Sequence, residues 1–375
     1  MLHSVSFSGN YPLEKHGILS FAAKNFMSDF HALQVSAVKK LTPNSVAITF
    51  TVPESLRNTF SFKAGQYITI KHQMNGQEIR RAYSISCAPS SGILTVGVKK
   101  MPNGMFSVYA NEILKEGDTL EVMPPEGRFI FEPAGNPKNI IAFAAGSGIT
   151  PIMSIAQTVL EGHPENVFVL VFGNQSPSET MYLDSIRRMK KQYTDRFFIQ
   201  HVYSRTREEG ALFGHIERST VNFVIKNQFK NIVFDAHYLC GPEPMINTVS
   251  EILMEHGVSK EKILFELFTS SDSEDVLAEE LEGKTQVEVV VDDETFSLTM
   301  DKKQLVLDAV LKEGIDAPYS CQGGVCSSCI ARIKEGKAEM VKNQILTDGE
   351  VAEGLILTCQ AHPLTPTLKL DYDDV

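Results

Sequence analysis

Apolar and polar positions along this chain change rhythm from one region to the next. From about residue 31 to 133, short runs are separated by turn signals: Leu33–Val38, Ser45–Phe50, Gln66–Ile70, Ile93–Val98 and Thr119–Val122. Successive side chains on a strand point to opposite faces, so runs of this length and period predict strands. Asn75-Gly76 supplies a hairpin signal, and many short strands in succession predict an antiparallel β-barrel. From 134 to 268 the apolar runs become continuous, in Asn139–Ala144, Val167–Phe172, Phe197–Tyr203 and Asp235–Cys240. They alternate with helical stretches Ile152–Leu160, Glu179–Lys191 and Pro244–His256. Apolar strands separated by helices predict an α/β doubly wound parallel sheet. Residues 269–283 are acidic and small and read as a linker. A second β-rich unit spans 284–375, with strands Gln286–Val291 and Thr295–Met300 and a capped helix near Leu305–Lys312. Residues 1–30 show no sustained period and are expected to be a disordered extension, with Met27 as an alternative start.

Composition bounds the function. With 375 residues, 43% hydrophobic and 22% charged, the chain suits two or three globular domains. No apolar run approaches the roughly 18 residues that a bilayer span needs, so a cytoplasmic protein without a membrane span is expected. The net charge of −11 argues against nucleic acid as a partner. Its distribution is uneven: residues 269–375 carry 22 acidic against 9 basic side chains, and residues 1–268 carry 24 against 26. An acidic terminal unit would steer a basic partner, or simply be a solvated surface.

The densest chemistry lies in that unit. Cys321, Cys326 and Cys329 share one short loop, and Cys359 follows thirty residues on. C-x4-C-x2-C with a distant fourth cysteine is the plant-type spacing for a [2Fe-2S] cluster. Gly323 and Gly324 are expected to let the loop wrap closely, with Ser320, Ser327 and Ser328 filling gaps and adding hydrogen bonds. Zinc sites with four cysteines usually need two short hooks, and only one is present; disulfides lack a secretory context. The segment resembles the plant-type ferredoxin family over about its last ninety residues. The resemblance implies an α+β β-grasp domain with Cys321, Cys326, Cys329 and Cys359 as metal ligands.

Arg81-Ala-Tyr83-Ser84 follows a barrel strand, and Gly104-Met105-Phe106-Ser107 opens a helix. An Arg, an aromatic and a hydroxyl can meet a flavin's diphosphate, ring face and N5 edge, and a helix N-terminus offers N–H groups to a pyrophosphate. A plain strand and a plain helix cap remain the alternatives. Gly146-Ser-Gly148-Ile-Thr150 turns from a strand into a helix, the setting for a nucleotide pyrophosphate. Cys240-Gly241-Pro242 ends a later strand, at the sheet edge where ligands bind. Ser204 and Arg205 follow the strand ending at Tyr203 and suit a ribose 2′-phosphate, favouring NADPH over NADH; a solvated loop arginine is the alternative.

Together these motifs resemble the ferredoxin-NADP reductase family over residues 31–268. The resemblance implies a FAD-binding barrel over 31–133 and an NAD(P)-binding domain over 134–268. It implies Tyr83 against the isoalloxazine, Ser84 near N5, Arg81 with Gly104 to Ser107 around the pyrophosphate, and Cys240 near nicotinamide C4. Glu266 and Phe268 match the family's terminal acid and aromatic, with Phe268 standing where Tyr is familiar. Hydride transfer moves two electrons and a [2Fe-2S] centre takes one, so a flavin between them is required. The expected activity is electron transfer from NADPH (or NADH) through FAD and [2Fe-2S] to a separate oxygenase or hydroxylase. The domain order resembles reductase subunits of phenylacetyl-CoA epoxidase complexes most closely, and reductases of ketosteroid hydroxylases and fatty-acid desaturases share it. A non-enzymatic electron carrier and a zinc-bearing flavoenzyme are the alternatives from other classes.

Overall fold

The computed structural model describes residues 30–74, 76–268, 278 and 281–375. The N-terminal extension up to residue 29, Asn75 of the hairpin signal and most of the acidic linker lie outside the described residues.

Six antiparallel strands form the first unit, in the order Gln77–Ser84, Tyr67–Met74, Thr119–Val122, His31–Thr42, Ser45–Thr51 and Leu94–Lys99. A bridge between Ile85 and Val96 joins the two edges and closes the barrel. Its interior is Leu33, Val35, Ile48, Ile68, Ile70, Val96 and their neighbours, with Phe106 from the helix Met105–Glu112 plugging it. Burying this apolar set is the main favourable term for the unit.

In the second unit six parallel strands run in the order Leu212–Phe213, Phe197–Tyr203, Val167–Asn174, Asn139–Ala145, Ala236–Cys240 and Ile263–Glu266. Ile152, Ile155 and Val159 of the helix Ile149–Gly162, with Ile186 and Met189 of Leu183–Gln192, cover one face. Val249, Ile252 and Leu253 of Glu243–Glu255 cover the other, with Val221 of Arg218–Phe223. Covering both faces explains why the central strands read as unbroken apolar runs. The helix predicted over Glu179–Lys191 begins later: Pro177–Glu179 is a single 3₁₀ turn, and Tyr182 takes a left-handed φ of 60° before Leu183. That conformation sends the Tyr182 hydroxyl to the barrel, where it donates to Ser86 Oγ at 2.8 Å.

The third unit is a five-stranded mixed sheet in the order Glu294–Asp301, Lys284–Val291, Thr367–Asp371, Ile330–Glu335 and Leu355–Leu357, with a separate pair Ala338–Met340 and Ala361–Pro363. The helix Val306–Lys312 packs beneath it, giving the expected β-grasp. This helix starts at Leu305 without a side-chain cap, contrary to expectation. The capping box belongs instead to Asp348–Ala352, between Thr347 and Glu350. Among the described residues no helix is long and apolar enough to cross a membrane.

Candidate functional site

Two sheet registers place the predicted redox residues. Cys240 and Glu266 are direct partners on adjacent parallel strands, and Ala144 pairs with Cys240 on its other side. Both strands therefore end at one carboxyl edge. Ser84, on the barrel strand that pairs with Tyr67, reaches across and donates to Glu266 Oε2 at 3.0 Å. All three groups are buried. Burial pushes the Glu266 carboxyl up from 4.5 to about 8, against a smaller downward pull from the Ser84 hydrogen bond. Burial, and then the Glu266 charge, raises the Cys240 thiol well above its ordinary value.

The glycine turn closes on the same point. A Cβ on Gly148 would lie 2.1 Å from the Cys240 carbonyl oxygen, so no side chain fits there. Thr150 is buried and donates to the Ser147 carbonyl at 3.0 Å, tightening the turn. Gly241 sits against Ala145 and Met245, and Pro242 precedes the helix Glu243–Glu255. Phe268 packs at the margin of the sheet's core.

On the barrel side, Tyr83 and Phe106 have ring centroids 5.5 Å apart, which joins the Arg81–Ser84 strand to the first turn of Met105–Glu112. Gly104 is the residue before that helix and Met105 its first. Phe106 faces the core, and the Ser107 hydroxyl accepts from the Met101 N–H at 3.1 Å and donates to the Gly104 carbonyl at 3.3 Å. Arg81 is exposed and donates to the Arg80 carbonyl at 2.7 Å.

Arg205 lines a cleft of about 550 Å³ between barrel and sheet, together with Lys99, Lys100, Asn44, Gln175 and Glu179. Glu179 accepts from Asn44 at 3.5 Å, and Lys100 is paired with Glu112 at 3.2 Å. Lys99 extends toward the glycine turn, with Nζ 3.4 Å from where a Gly146 Cβ would stand. Backbone bonds from Ser204 to Asn174 and from Arg205 to Gln175 fix this loop. Lys99 belongs to no motif; its one signal in the sequence is a basic pair at a strand end just before the Pro102–Gly104 turn.

In the third unit the left-handed conformations fall at Gln322 (φ 53°) and Gly324 (φ 71°), so of the two glycines Gly324 is the one that uses left-handed freedom. Gly323 instead donates its N–H to Cys321 Sγ at 3.3 Å. Gly324 is needed for space as well, since a Cβ there would lie 2.9 Å from the Gln360 side chain. Hydrogen bonds from Cys326 and Cys359, with the Gly323 and Val325 N–H groups, hold the Cys321 thiol well below its ordinary value. Cys329 is likewise lowered, first by its bond to Cys359. Among the described residues no set of three or more His, Cys, Asp or Glu side chains is placed around a single ion. The four thiols are instead linked in a chain, Cys326 to Cys321 to Cys359 to Cys329, and this four-cysteine donor set fits a [2Fe-2S] centre. Of the three serines, Ser328 is bonded across to the barrel, while Ser320 Oγ is buried with no partner among the described residues.

Comparison with known proteins agrees with this architecture. The Oxidoreductase FAD-binding domain family matches residues 32–131, the Oxidoreductase NAD-binding domain family 143–251, and the 2Fe-2S iron-sulfur cluster binding domain family 282–364. A 1,2-phenylacetyl-CoA epoxidase subunit from Escherichia coli (strain K12) is 34% identical over 92% of this chain and 99% of its own. The ferredoxin reductase component of 3-ketosteroid-9-alpha-monooxygenase from Rhodococcus rhodochrous is 31% identical over 91% and 96%. The solved phthalate dioxygenase reductase shares the fold, with a TM-score of 0.58 at 23% identity over 91% of this chain and 98% of that one. The chain therefore belongs to the family of three-domain reductase components of oxygenase systems, NAD(P)H-dependent oxidoreductases that pass electrons through FAD to a [2Fe-2S] cluster.

Proposed function

We propose that this protein draws electrons from NADPH and delivers them singly to a separate oxygenase, the epoxidase component of a phenylacetyl-CoA epoxidase system. The observation that carries the redox assignment is the meeting of Ser84, Cys240 and Glu266 where the barrel joins the carboxyl edge of the parallel sheet. FAD, when bound, accepts a hydride and gives up its electrons one at a time, and the cluster carries one electron.

The chain's own residues divide the remaining work. Tyr83 and the N–H groups of the first turn of Met105–Glu112 would hold the flavin, with Arg81 for its diphosphate. Ser84 orients the flavin edge. Cys240, with its thiol kept protonated by burial, would line the nicotinamide site, and glycine at 148 lets the turn close against the Cys240 carbonyl. Glu266 is largely protonated at neutral pH, so it places a neutral donor rather than a second charge beside the reacting rings. Ser204, Arg205 and Lys99 supply donors for the phosphates of the coenzyme. Cys321, Cys326, Cys329 and Cys359 hold the cluster.

The epoxidase assignment rests on likeness over nearly the full length to the Escherichia coli protein. The test is reconstitution of the purified protein with phenylacetyl-CoA epoxidase oxygenase components and, separately, with a ketosteroid monooxygenase component. NADPH oxidation coupled to phenylacetyl-CoA turnover supports the assignment. Coupling to the ketosteroid component alone sinks it while leaving the electron route intact.

A further inference from the structure

The cluster loop is seated on the barrel by directional polar contacts. Tyr67 and Ser328 oxygens lie 3.0 Å apart, and Ser328 Oγ donates to Glu126 Oε2 at 3.0 Å. Tyr67 and Ser328 are buried, so this chain of bonds, Tyr67 to Ser328 to Glu126, is sheltered from water. Ser328 stands between two of the cysteines, with Cys326 Sγ 3.8 Å from Ser328 Oγ. Four positions along the same strand pair, Arg80, only 6% exposed, donates to Asp316 at 2.9 Å and lies 4.3 Å over the Tyr319 ring. Val325, at the loop's tip, packs into the nucleotide domain's apolar cluster with Leu267 and Met245.

Tyr67 also pairs in register with Ser84 on the neighbouring strand. One strand pair therefore carries both the flavin-site hydroxyl and the anchor of the cluster loop. Apolar surfaces can slide against each other at little cost, whereas short, aligned hydrogen bonds set one register.

We propose that Tyr67 and Glu126 are positioning residues for the internal electron step, fixing the Cys326–Cys329 segment at a set separation from the flavin-bearing strand through Ser328. The proposal rests on the electron route given above. In that step one electron leaves the reduced flavin and one ferric iron of the cluster becomes ferrous; no covalent bond forms or breaks. Transfer between protein-held centres weakens steeply with separation, so loosening this contact slows the step without touching either centre.

The test uses full-length protein loaded with FAD and cluster, as wild type, Tyr67→Phe, Glu126→Ala and the double variant, mixed anaerobically with NADPH. Flavin bleaching should keep its wild-type rate. Cluster reduction should slow by roughly tenfold or more in the double variant, the effect expected when a charge-assisted bond no longer holds one docked arrangement. The cluster's EPR signal and midpoint potential should stay unchanged, and amide exchange over 325–329 should quicken. Tyr67→Phe removes a single oxygen and provides the reading if Glu126→Ala fails to fold. Cluster reduction at the wild-type rate in both single variants overturns the proposal. A slower step accompanied by a shifted potential also overturns it, because the contact would then be acting on the cluster itself. Wild-type protein whose flavin bleaches while its cluster stays oxidised overturns the electron route and this proposal with it.

Discussion

Replacing Glu266 with Gln removes a titrating group while keeping an oxygen to accept from Ser84. The carboxyl is raised from 4.5 to about 8 by burial, so the folded protein holds this proton more tightly than the unfolded chain does. A group of that kind gives its full stability below pH 4.5 and loses it as pH rises toward 8. At 1.36 kcal/mol for each pH unit, the whole window corresponds to on the order of 5 kcal/mol, an upper figure because relaxation and water entry reduce it. Thermal midpoints of both FAD-loaded proteins, measured from pH 5 to 9, isolate Glu266, since all other titrating groups cancel in the difference. The midpoints should nearly coincide at pH 5 and separate as pH rises, with Glu266→Gln the more stable. At roughly 2–4 °C per kcal/mol for a unit of 150–250 residues, even a third of that energy separates them by about 3–7 °C. Parallel curves from pH 5 to 9 would refute the reasoning and show Glu266 to be ionised where it lies.

Arg205→Ala should raise KM for NADPH by roughly tenfold and leave NADH nearly unchanged, since a charge-assisted phosphate bond is worth ~1.5–3 kcal/mol; steady-state kinetics with both coenzymes decide it. Gly148→Ala should lower the melting midpoint by several degrees and slow flavin bleaching by NADPH, because its Cβ would strike the Cys240 carbonyl and overpacking of this kind costs ~1–3 kcal/mol or more. Ser84→Ala should push the Glu266 carboxyl still higher by removing the bond that lowers it, visible as a stability loss that still begins near pH 4.5 but continues to higher pH before levelling off.

How much of this is legible in the sequence depends on whether the signal is local. The strand Asn139–Ala145 stands out because both its faces are buried, and the four cysteines because their spacing is itself the ligand geometry. Glycine at 148 is visible as a turn residue, but its closeness to Cys240 comes from two strands that are neighbours only in the sheet. The helix starts at Leu183, later than its pattern predicts, because Tyr182 leaves the helical path to reach Ser86, ninety-six residues away in the chain. Glu126 and Tyr67 carry no motif at all. Their partner Ser328 lies 202 residues beyond Glu126 and 261 beyond Tyr67, and only packing of the third unit on the barrel brings them together.

The central claim is that electrons leave through the cluster and not directly from the flavin. Cys326→Ser, which replaces a thiolate with a poor ligand for iron, tests it most directly when FAD-loaded protein is assayed with NADPH against ferricyanide and against cytochrome c. The account predicts that the variant binds FAD and reduces ferricyanide at close to the wild-type rate, while cytochrome c reduction falls steeply. A variant that has lost its iron and still reduces cytochrome c at the wild-type rate would contradict it.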